Sequence, residues 1–276
     1  MITSKLRIAL GVMAGVATFA AAATPAYAIR FGVADSGEHP YVGLMVAFKN
    51  GAPQWRCSGT LLSDTVFLTA GHCTSGADHV EIWFDEHVIR RSEDPVNGTY
   101  PFGPGQASGT PFTHPQFTDA AFYQFDVGVV VLDRNDSGVT QYGKLPAQGA
   151  WDPYLVPGGK KGKTAEPVGY GLQWSRPDNN PHPSTANLDR KKANTRIIGD
   201  SYGGNTGQGT YIIFSGNADT GGTCFGDSGG PIFMGTNSKV VGAVTSFGKS
   251  PTCGGQGGGY RIDQADDLAF INSFLG

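Results

Sequence analysis

The chain has 276 residues, with 20 basic and 23 acidic side chains and a formal net charge of −3. This mildly acidic balance argues against nucleic acid or an anionic lipid surface as the main partner. The length is enough to bury the core of one large β domain or of two small ones.

Residues 1–28 have the three-part layout of a secretory signal peptide. Met1–Arg7 carries two basic side chains and no acid, Ile8–Ala23 is almost wholly apolar, and Ala26-Tyr27-Ala28 is a small-residue cleavage pattern. The alternative is a membrane-spanning helix, but a bilayer core needs about 20 apolar residues and this run has about 16. The sequence therefore predicts a secreted, extracellular protein of 248 residues with a net charge of −5.

Short apolar runs, separated by turns rich in the 42 glycines and 17 prolines, occupy most of the remaining chain. Many of these runs alternate or are β-branched, which is typical of strands. The predicted strands, in chain order, are Tyr41–Phe48, Val66–Thr69, Val80–Phe84, Val127–Leu132, Tyr211–Phe214, Pro231–Phe233 and Val240–Phe247.

The stretches between the strands predict two long loops, Glu93–Gly109 and the proline-rich Gln173–Asn194. The turn-rich stretch Gly138–Thr164 is the candidate boundary between two β subdomains. Helical periodicity is confined to the C-terminus, where Asp263 is the expected cap and the side chains of Leu268, Ile271 and Leu275 fall on one face. These patterns predict an all-β fold of the sandwich or barrel type with one terminal helix.

Four cysteines, Cys57, Cys73, Cys224 and Cys253, remain after the leader. In a secreted chain an even number of cysteines predicts disulfides, and four cysteines allow three pairings. The pairing of sequence neighbours would close two loops of modest size, each contributing about 3 kcal/mol by the chain-entropy model. A zinc site that includes His72 is the competing interpretation, which the lack of any C-x-x-C pair disfavours.

A candidate nucleophile lies in Gly226-Asp227-Ser228-Gly229-Gly230-Pro231. Serine needs a neighbouring base, and the flanking glycines let the backbone approach a substrate. The pattern also fits the G-x-S-x-G turn of α/β-hydrolases, whose histidine follows the serine. All six histidines (39, 72, 79, 87, 114 and 182) precede Ser228, so that interpretation is excluded.

The base is therefore expected upstream of Ser228. His72 follows the apolar run Val66–Leu68, and its neighbour Cys73 can hold it in place through a disulfide. The other five histidines lack such a frame and are interpreted as surface or structural residues. Asp126 begins the apolar run Asp126–Leu132, where a charge is costly unless it is paired. It is the candidate carboxylate that orients the imidazole of His72.

Three blocks resemble the catalytic blocks of the chymotrypsin-like (trypsin-family) serine proteases, in that family's order of His, Asp and Ser. Three further segments resemble the start of the mature chain, the entry to the second barrel and the strand that pairs with substrate. In chain order, the catalytic blocks are Leu68–Cys73, Asp126–Val130 and Cys224–Pro231, and the further segments are Gly37–Tyr41, Gly169–Gly171 and Ser246–Gly248.

The resemblance implies two packed six-stranded antiparallel Greek-key β-barrels, at residues 29–147 and 148–262, followed by a C-terminal α-helix at 263–276. His72 and Asp126 would come from the first barrel and Ser228 from the second, as a catalytic triad acting through an acyl-enzyme. The N–H groups of Gly226 and Ser228 would form the oxyanion hole. The resemblance also implies the disulfides Cys57–Cys73 and Cys224–Cys253, and no cofactor or metal.

The same resemblance places a specificity pocket. Gly222 would be its floor, Thr223 would line it, and Gly248 and Gly258 would leave it open. Ser246 and Phe247 belong to the strand that binds substrate. Because glycine offers no charge for Arg or Lys, we expect a neutral, roomy pocket that prefers apolar or aromatic side chains.

Family members mature when a new N-terminal amine pairs with the aspartate before the catalytic serine, which is Asp227 here. Signal cleavage after Ala28 would make Ile29 that terminus, with no room for a propeptide before Gly37. However, Ile29-Arg30-Phe31-Gly32 departs from the usual Ile-Val-Gly-Gly, and it places a charged Arg30 where an apolar residue normally inserts.

The resulting prediction is a monomeric serine-type endopeptidase that acts on polypeptides, with no nucleic-acid partner and no membrane attachment after signal cleavage. Two alternatives stay open. A catalytically silent homologue that binds proteins would usually have lost a triad residue or the oxyanion glycine, and none is lost here. An esterase of the same fold would keep all of these residues.

Overall fold

The computed structural model describes residues 29–121, 124–156, 158–159, 162–173, 175, 187–200 and 209–276. The predicted signal peptide, residues 1–28, and most of the proline-rich stretch that contains His182 lie outside the described residues. The fold is all-β, with two closed antiparallel barrels and a C-terminal helix, as the resemblance implied.

The first barrel is a ring of strands in the order β2-β3-β4-β7-β6-β5. Its apolar side chains point inward and are fully buried, including Leu44, Phe67 and Ile82. The register pairs Thr69 with Gly128, so the end of one strand lies beside the start of another at a single edge of the barrel. The strands are β2 (Val42–Lys49), β3 (Ala52–Leu61), β4 (Val66–Thr69), β5 (His79–Trp83), β6 (Ala107–Thr113) and β7 (Gly128–Asn135).

The second barrel follows in the chain, and the pairing of its strands β8 and β12 closes the ring. Its interior holds a separate cluster of buried side chains around Trp151, Phe214 and Ile232. Two short strands, β1 (Val33–Ala34) and β9 (Lys191–Lys192), extend the sheet beside β8. The barrel strands are β8 (Thr164–Gly169), β10 (Thr195–Gly199), β11 (Tyr211–Gly216), β12 (Pro231–Phe233), β13 (Val241–Gly248) and β14 (Gly255–Arg261).

Helices are few and short: α1 (Gly71–Thr74), α2 (Asp152–Leu155), a 3-10 turn (Asp119–Ala121) and α3 (Ala265–Asn272). The predicted cap of the last helix is wrong by one residue, because the N-cap is Gln264. The carboxylate of Asp263 instead accepts hydrogen bonds from the Arg261 guanidinium and the Trp151 N–H. No helix within the described part of the chain is long and apolar enough to cross a membrane.

The strand predictions hold for every run, with identical bounds for Val66–Thr69 and Pro231–Phe233. The loop prediction for Glu93–Gly109 is wrong at its end, because residues 107–109 belong to β6 and pair with β5 and β7. The second predicted loop likewise contains β9. The predicted division at residue 147 falls in the stretch between β7 and β8.

A buried polar cluster joins the two barrels. The hydroxyl of Tyr170, at the end of β8, donates to the carbonyl oxygen of Asp85 in the first barrel at 2.7 Å. The guanidinium of Arg190 donates to the carbonyl of Phe84 at 2.8 Å and to the carboxylate of Asp35 at 2.9 Å. Since these side chains are almost fully buried, the cluster fixes how the barrels face each other.

Candidate active site

His72 and Asp126 are brought together by the pairing of β4 with β7. Strand β4 ends at Thr69 and leads into α1, while Asp126 precedes β7 by two residues. The Nδ1 atom of His72 lies 3.0 and 2.9 Å from the two carboxylate oxygens of Asp126, and the His72 backbone N–H donates to Oδ1 at 2.9 Å. The disulfide Cys57–Cys73 ties the next residue to β3.

This geometry sets the tautomer and the charge of the imidazole. With its Nδ1–H donated to a carboxylate, a neutral His72 carries its free acceptor at Nε2, and its side chain is 28 % exposed. Burial lowers the pKa of His72, but the charge and hydrogen bond of Asp126 outweigh that effect and raise it above its usual value. The arrangement suits a base that accepts a proton at Nε2.

Asp126 is fully buried and has a third hydrogen-bond donor from the other barrel. The hydroxyl of Ser246, on β13, donates to its Oδ2 at 2.6 Å. These hydrogen bonds satisfy the buried carboxylate oxygens and hold them in place beside the imidazole. Ser246 was predicted to bind substrate, and the structure adds this contact, which separation by 120 residues hides from the sequence.

Ser228 lies in a tight loop held against the first barrel. Its carbonyl accepts the Ser58 N–H at 2.8 Å, and the next N–H, of Gly229, donates to Thr245 at 2.8 Å. Gly229 has φ +75°, and a Cβ there would lie 2.0 Å from the Thr69 hydroxyl. Only glycine allows this approach, which brings the serine loop against the end of the strand that leads to His72.

The backbone N–H groups of the serine loop divide into two sets. Those of Asp227, Gly229 and Gly230 donate to carbonyl oxygens of the protein. Those of Gly226 and Ser228 have no acceptor among the residues that the structure describes. The two unpaired donors are the pair that the sequence predicts for an oxyanion hole.

Asp227 is fully buried beneath this loop. Its Oδ1 accepts the Gly171 N–H at 2.7 Å and its Oδ2 accepts the Cys224 N–H at 2.8 Å. Burial raises the pKa of Asp227 to about 7, although both N–H groups and the charge of Arg56 act to lower it. Ile29, its predicted partner, is also buried, but it is not among the hydrogen-bond partners of Asp227 in the described chain.

Ser58 was missed by the sequence analysis. Its hydroxyl donates to the Gly226 carbonyl at 2.9 Å and accepts the Tyr170 N–H at 3.0 Å. One side chain of the first barrel thus holds two loops of the second. The one sequence feature that could have pointed to Ser58 is its position next to Cys57, whose disulfide leads to Cys73 beside His72.

A cavity of about 250 Å³ opens beside Ser228. Three chain segments line it, and the disulfide Cys224–Cys253 joins two of them, residues 223–228 and residues 250–256, which are called its two walls. Of the described residues that line it, none carries a formal charge. The lining residues are Thr223, Cys224, Phe225, Ser228, Thr245, Ser246, Phe247, Gly248, Ser250, Cys253 and Gln256.

Gly222 and Gly258 are not among the described residues that line this cavity. A Cβ on Gly222 would lie 2.6 Å from the Gly216 Cα, and a Cβ on Gly258 would lie 2.1 Å from the Phe247 ring. The neighbouring Gly257 is the residue that faces the Thr223 hydroxyl, at 2.8 Å from its Cβ position. Because residues 257–259 are all glycine, the sequence does not show which of them faces Thr223.

The competing zinc interpretation required free cysteine thiolates beside His72. The sulfur atoms of Cys57 and Cys73 lie near its imidazole, but they are bonded to each other. A zinc ligand is a thiolate, and neither sulfur is free to become one in the disulfide. The site therefore consists of an imidazole paired with a carboxylate and of a serine loop packed against the strand that leads to that imidazole.

Comparison with known proteins gives a consistent result. The Trypsin family model matches residues 31–266. The chain is 28 % identical over 219 residues to a chymotrypsin of Phaedon cochleariae, covering 76 % of this chain and 69 % of the relative. It is 27 % identical to Serine protease 1 of Drosophila melanogaster, covering 80 % and 75 %. Among solved structures, HL collagenase aligns with a TM-score of 0.64 at 19 % identity, covering 86 % of this chain and 94 % of that one, a likeness of fold.

Proposed function

The chain belongs to the trypsin family of serine proteases, and from this premise we propose that it is an endopeptidase whose catalytic residues are Ser228, His72 and Asp126. One observation carries the proposal. A partly exposed imidazole is hydrogen-bonded through Nδ1 to a buried carboxylate, and a serine loop packs against the strand that leads to it. Ser228 is the nucleophile, His72 the general base and Asp126 the carboxylate that orients it.

In the proposed mechanism, the Ser228 hydroxyl attacks the scissile carbonyl as Nε2 of His72 takes its proton. Asp126 stabilises the imidazolium that forms, and the Ser246 hydroxyl at 2.6 Å helps to hold its carboxylate in place. His72 then gives the proton to the leaving amine. Water attacks the Ser228 ester that remains, with His72 taking a proton from the water and returning it to the Ser228 oxygen.

The N–H groups of Gly226 and Ser228 would bind the negative oxygen of the tetrahedral intermediate. Their lack of an acceptor in the described chain supports this role, because donors that are already placed cost no rearrangement during the reaction. The loss of one such donor typically lowers turnover by about 10²–10³-fold.

For specificity, we propose that the cavity beside Ser228 binds the side chain that precedes the scissile bond. The absence of charge among its described lining residues supports a preference for apolar or aromatic side chains. Matched peptide p-nitroanilides that end in Tyr, Leu, Glu or Arg test this. Tyr or Leu substrates should be cleaved fastest, and faster cleavage after Arg or Glu would refute the preference.

The proposed catalytic residues are tested by labelling with an organophosphonate, followed by peptide mapping. We expect the label on Ser228, no label in Ser228→Ala, and a fall in kcat on the order of 10⁶-fold in that variant. Comparison of peptide and ester substrates separates an endopeptidase from an esterase, since only the former cleaves the amide efficiently. A wild-type chain that is folded but takes no label would instead indicate the catalytically silent homologue.

Secretion and maturation belong to the same proposal. The layout of residues 1–28 supports export and cleavage after Ala28, and the new amine of Ile29 would pair with Asp227. Intact mass spectrometry of the active secreted protein should give a chain that begins at Ile29. An active form with any other first residue would refute this pairing.

A further inference from the structure

Arg30 lies where the N-terminal segment passes behind the cavity beside Ser228. Its carbonyl oxygen accepts the N–H of Gly222 at 2.9 Å, and the two residues form an isolated β-bridge. Its side chain extends further, and its Nη1 donates a hydrogen bond to the carbonyl of Thr252. One half-buried residue is therefore bonded to two segments that are 30 positions apart in the chain.

These two segments lead directly into the two walls of the cavity. Gly222 precedes Thr223 and Cys224, and Thr252 precedes Cys253, and all three of these following residues line the cavity. The disulfide Cys224–Cys253 already joins the walls covalently. Arg30 forms a second, non-covalent connection between them, through a charge-assisted hydrogen bond on one side and a backbone bond on the other.

Two further contacts show that the guanidinium of Arg30 has a fitted place. A Cβ on Gly254 would lie 3.0 Å from its Nη1, so that glycine leaves the room that the side chain occupies. The guanidinium carbon also lies 4.8 Å from the centroid of the Phe31 ring, within the range of a cation–π contact. These contacts limit the conformations open to the long side chain and hold its guanidinium at the Thr252 carbonyl.

We propose that Arg30 is a positioning residue that sets the spacing of the two cavity walls and thereby the selectivity for the side chain before the scissile bond. Arg30 does not line the cavity, so it acts through Thr252 and Gly222 rather than by touching substrate. This inference rests on the proposed endopeptidase activity. It also gives the charged second residue of the predicted mature chain a role that the usual apolar residue at that position would not fill.

The test uses Arg30→Met and Arg30→Lys in the full-length secreted enzyme. Arg134→Met is the matched control, because the Arg134 guanidinium also donates to a backbone carbonyl, that of Gly105, but in the first barrel. Two measurements are made for each variant. The first gives kcat and KM on p-nitroanilides ending in Ala, Leu or Tyr. The second gives the rate of inactivation by diisopropyl fluorophosphate, a small reagent that needs little of the cavity.

We expect Arg30→Met to raise KM for the Tyr and Leu substrates by about ten-fold or more, with the Ala substrate and the inactivation rate little changed. Arg30→Lys, which keeps one charged donor, should recover part of the difference. Arg134→Met should match the wild type throughout. Faster amide hydrogen exchange of residues 250–256 in Arg30→Met would report the loosened wall directly.

Three results would overturn the inference. Unchanged selectivity in Arg30→Met would show that the disulfide alone sets the walls. A proportional fall in all rates together with a lower Tm, repeated in Arg30→Lys, would show a purely structural role. A wild-type enzyme inert to diisopropyl fluorophosphate would refute the proposed function and this inference with it, whereas a reactive wild type with unchanged variants refutes the inference alone.

Discussion

The buried cluster around His39 gives the most demanding prediction about stability. His39 lies between two carboxylates, with Nδ1 2.5 Å from Asp35 and Nε2 3.4 Å from Glu166, and Arg190 contacts the other oxygen of Asp35 at 2.9 Å. None of the four residues is more than 3 % exposed. Two carboxylates and one guanidinium leave one negative charge uncompensated, which a protonated His39 would balance. A buried cluster of this kind is stable only when its charges are paired.

The perturbation is His39→Gln, which keeps a hydrogen-bonding side chain but removes the positive charge. Removing one partner of a buried ion pair costs about 3–5 kcal/mol, because the remaining charge stays desolvated. For a chain of this size, each kcal/mol lowers Tm by about 2–4 °C, so the expected fall is about 6–20 °C at pH 6.

The effect should depend on pH in a definite direction. Burial alone lowers the pKa of His39, but the hydrogen bonds to Asp35 and Glu166 outweigh it and raise the pKa above 6.5. A raised pKa in the folded state means that the contribution is fully present below the unfolded value of 6.5 and is lost as the pH rises through the folded pKa. The difference in Tm between wild type and His39→Gln should therefore shrink toward alkaline pH.

The assay is calorimetric unfolding between pH 5 and pH 9.5, in a Ser228→Ala background that removes self-digestion. The control is His79→Gln, because His79 forms a similar 2.9 Å pair with Glu81 but its side chain is 40 % exposed. An exposed pair contributes at most about 1 kcal/mol, so this control should stay close to the parent. A Tm difference for His39→Gln that is constant with pH, or no larger than that of His79→Gln, would refute the reasoning.

Three further predictions concern the site. Ser246→Ala removes the 2.6 Å hydrogen bond to Asp126, so kcat should fall about ten-fold with KM little changed, and an unaltered kcat would contradict the role of this hydroxyl. Because the pKa of His72 is raised above 6.5 and only the neutral imidazole accepts a proton, the acid limb of the kcat/KM profile should lie above pH 6.5; a limb below that value speaks against the Asp126 contact. Replacing Cys224 and Cys253 by serine opens a crosslink over 29 positions and should cost about 3.5 kcal/mol by the chain-entropy model, seen as a lower Tm; an unchanged Tm would exclude that cost.

The sequence predicted the strands whose side chains follow a clear apolar pattern. The buried strand β4 was read with its full bounds because apolar, β-branched residues fill it between turns. Strand β14, in contrast, was missed because four of its seven residues are glycine, which weakens any strand pattern. Those glycines are required by packing, since the rings of Phe214 and Phe247 lie over Gly257 and Gly258. This packing depends on β11, β14 and β13 lying side by side, so it cannot be read from the sequence of β14 alone.

The site shows the same division. The pairing of His72 with Asp126 could be predicted because each residue flanks an apolar run, where a polar group needs a function or a partner. The hydrogen bonds made by Ser58, Ser246 and Arg30 could not, because each joins residues more than 100 positions apart in the sequence. A hydroxyl that bonds a loop of the other barrel leaves no local pattern, and its role follows only from how the barrels pack.

The two buried aspartates of the site differ in what neutralises them. Asp126 has the imidazole of His72 against it, whereas Asp227 has two backbone N–H groups as its hydrogen-bond partners in the described chain. Its pKa of about 7 means that burial outweighs the combined effect of those donors and of the more distant charge of Arg56. Without a further positive charge, Asp227 would be about half protonated at neutral pH, and its hold on the serine loop would weaken. A free amine at Ile29 would supply that charge, so cleavage after Ala28 should change the ionisation of Asp227 as well as the start of the chain.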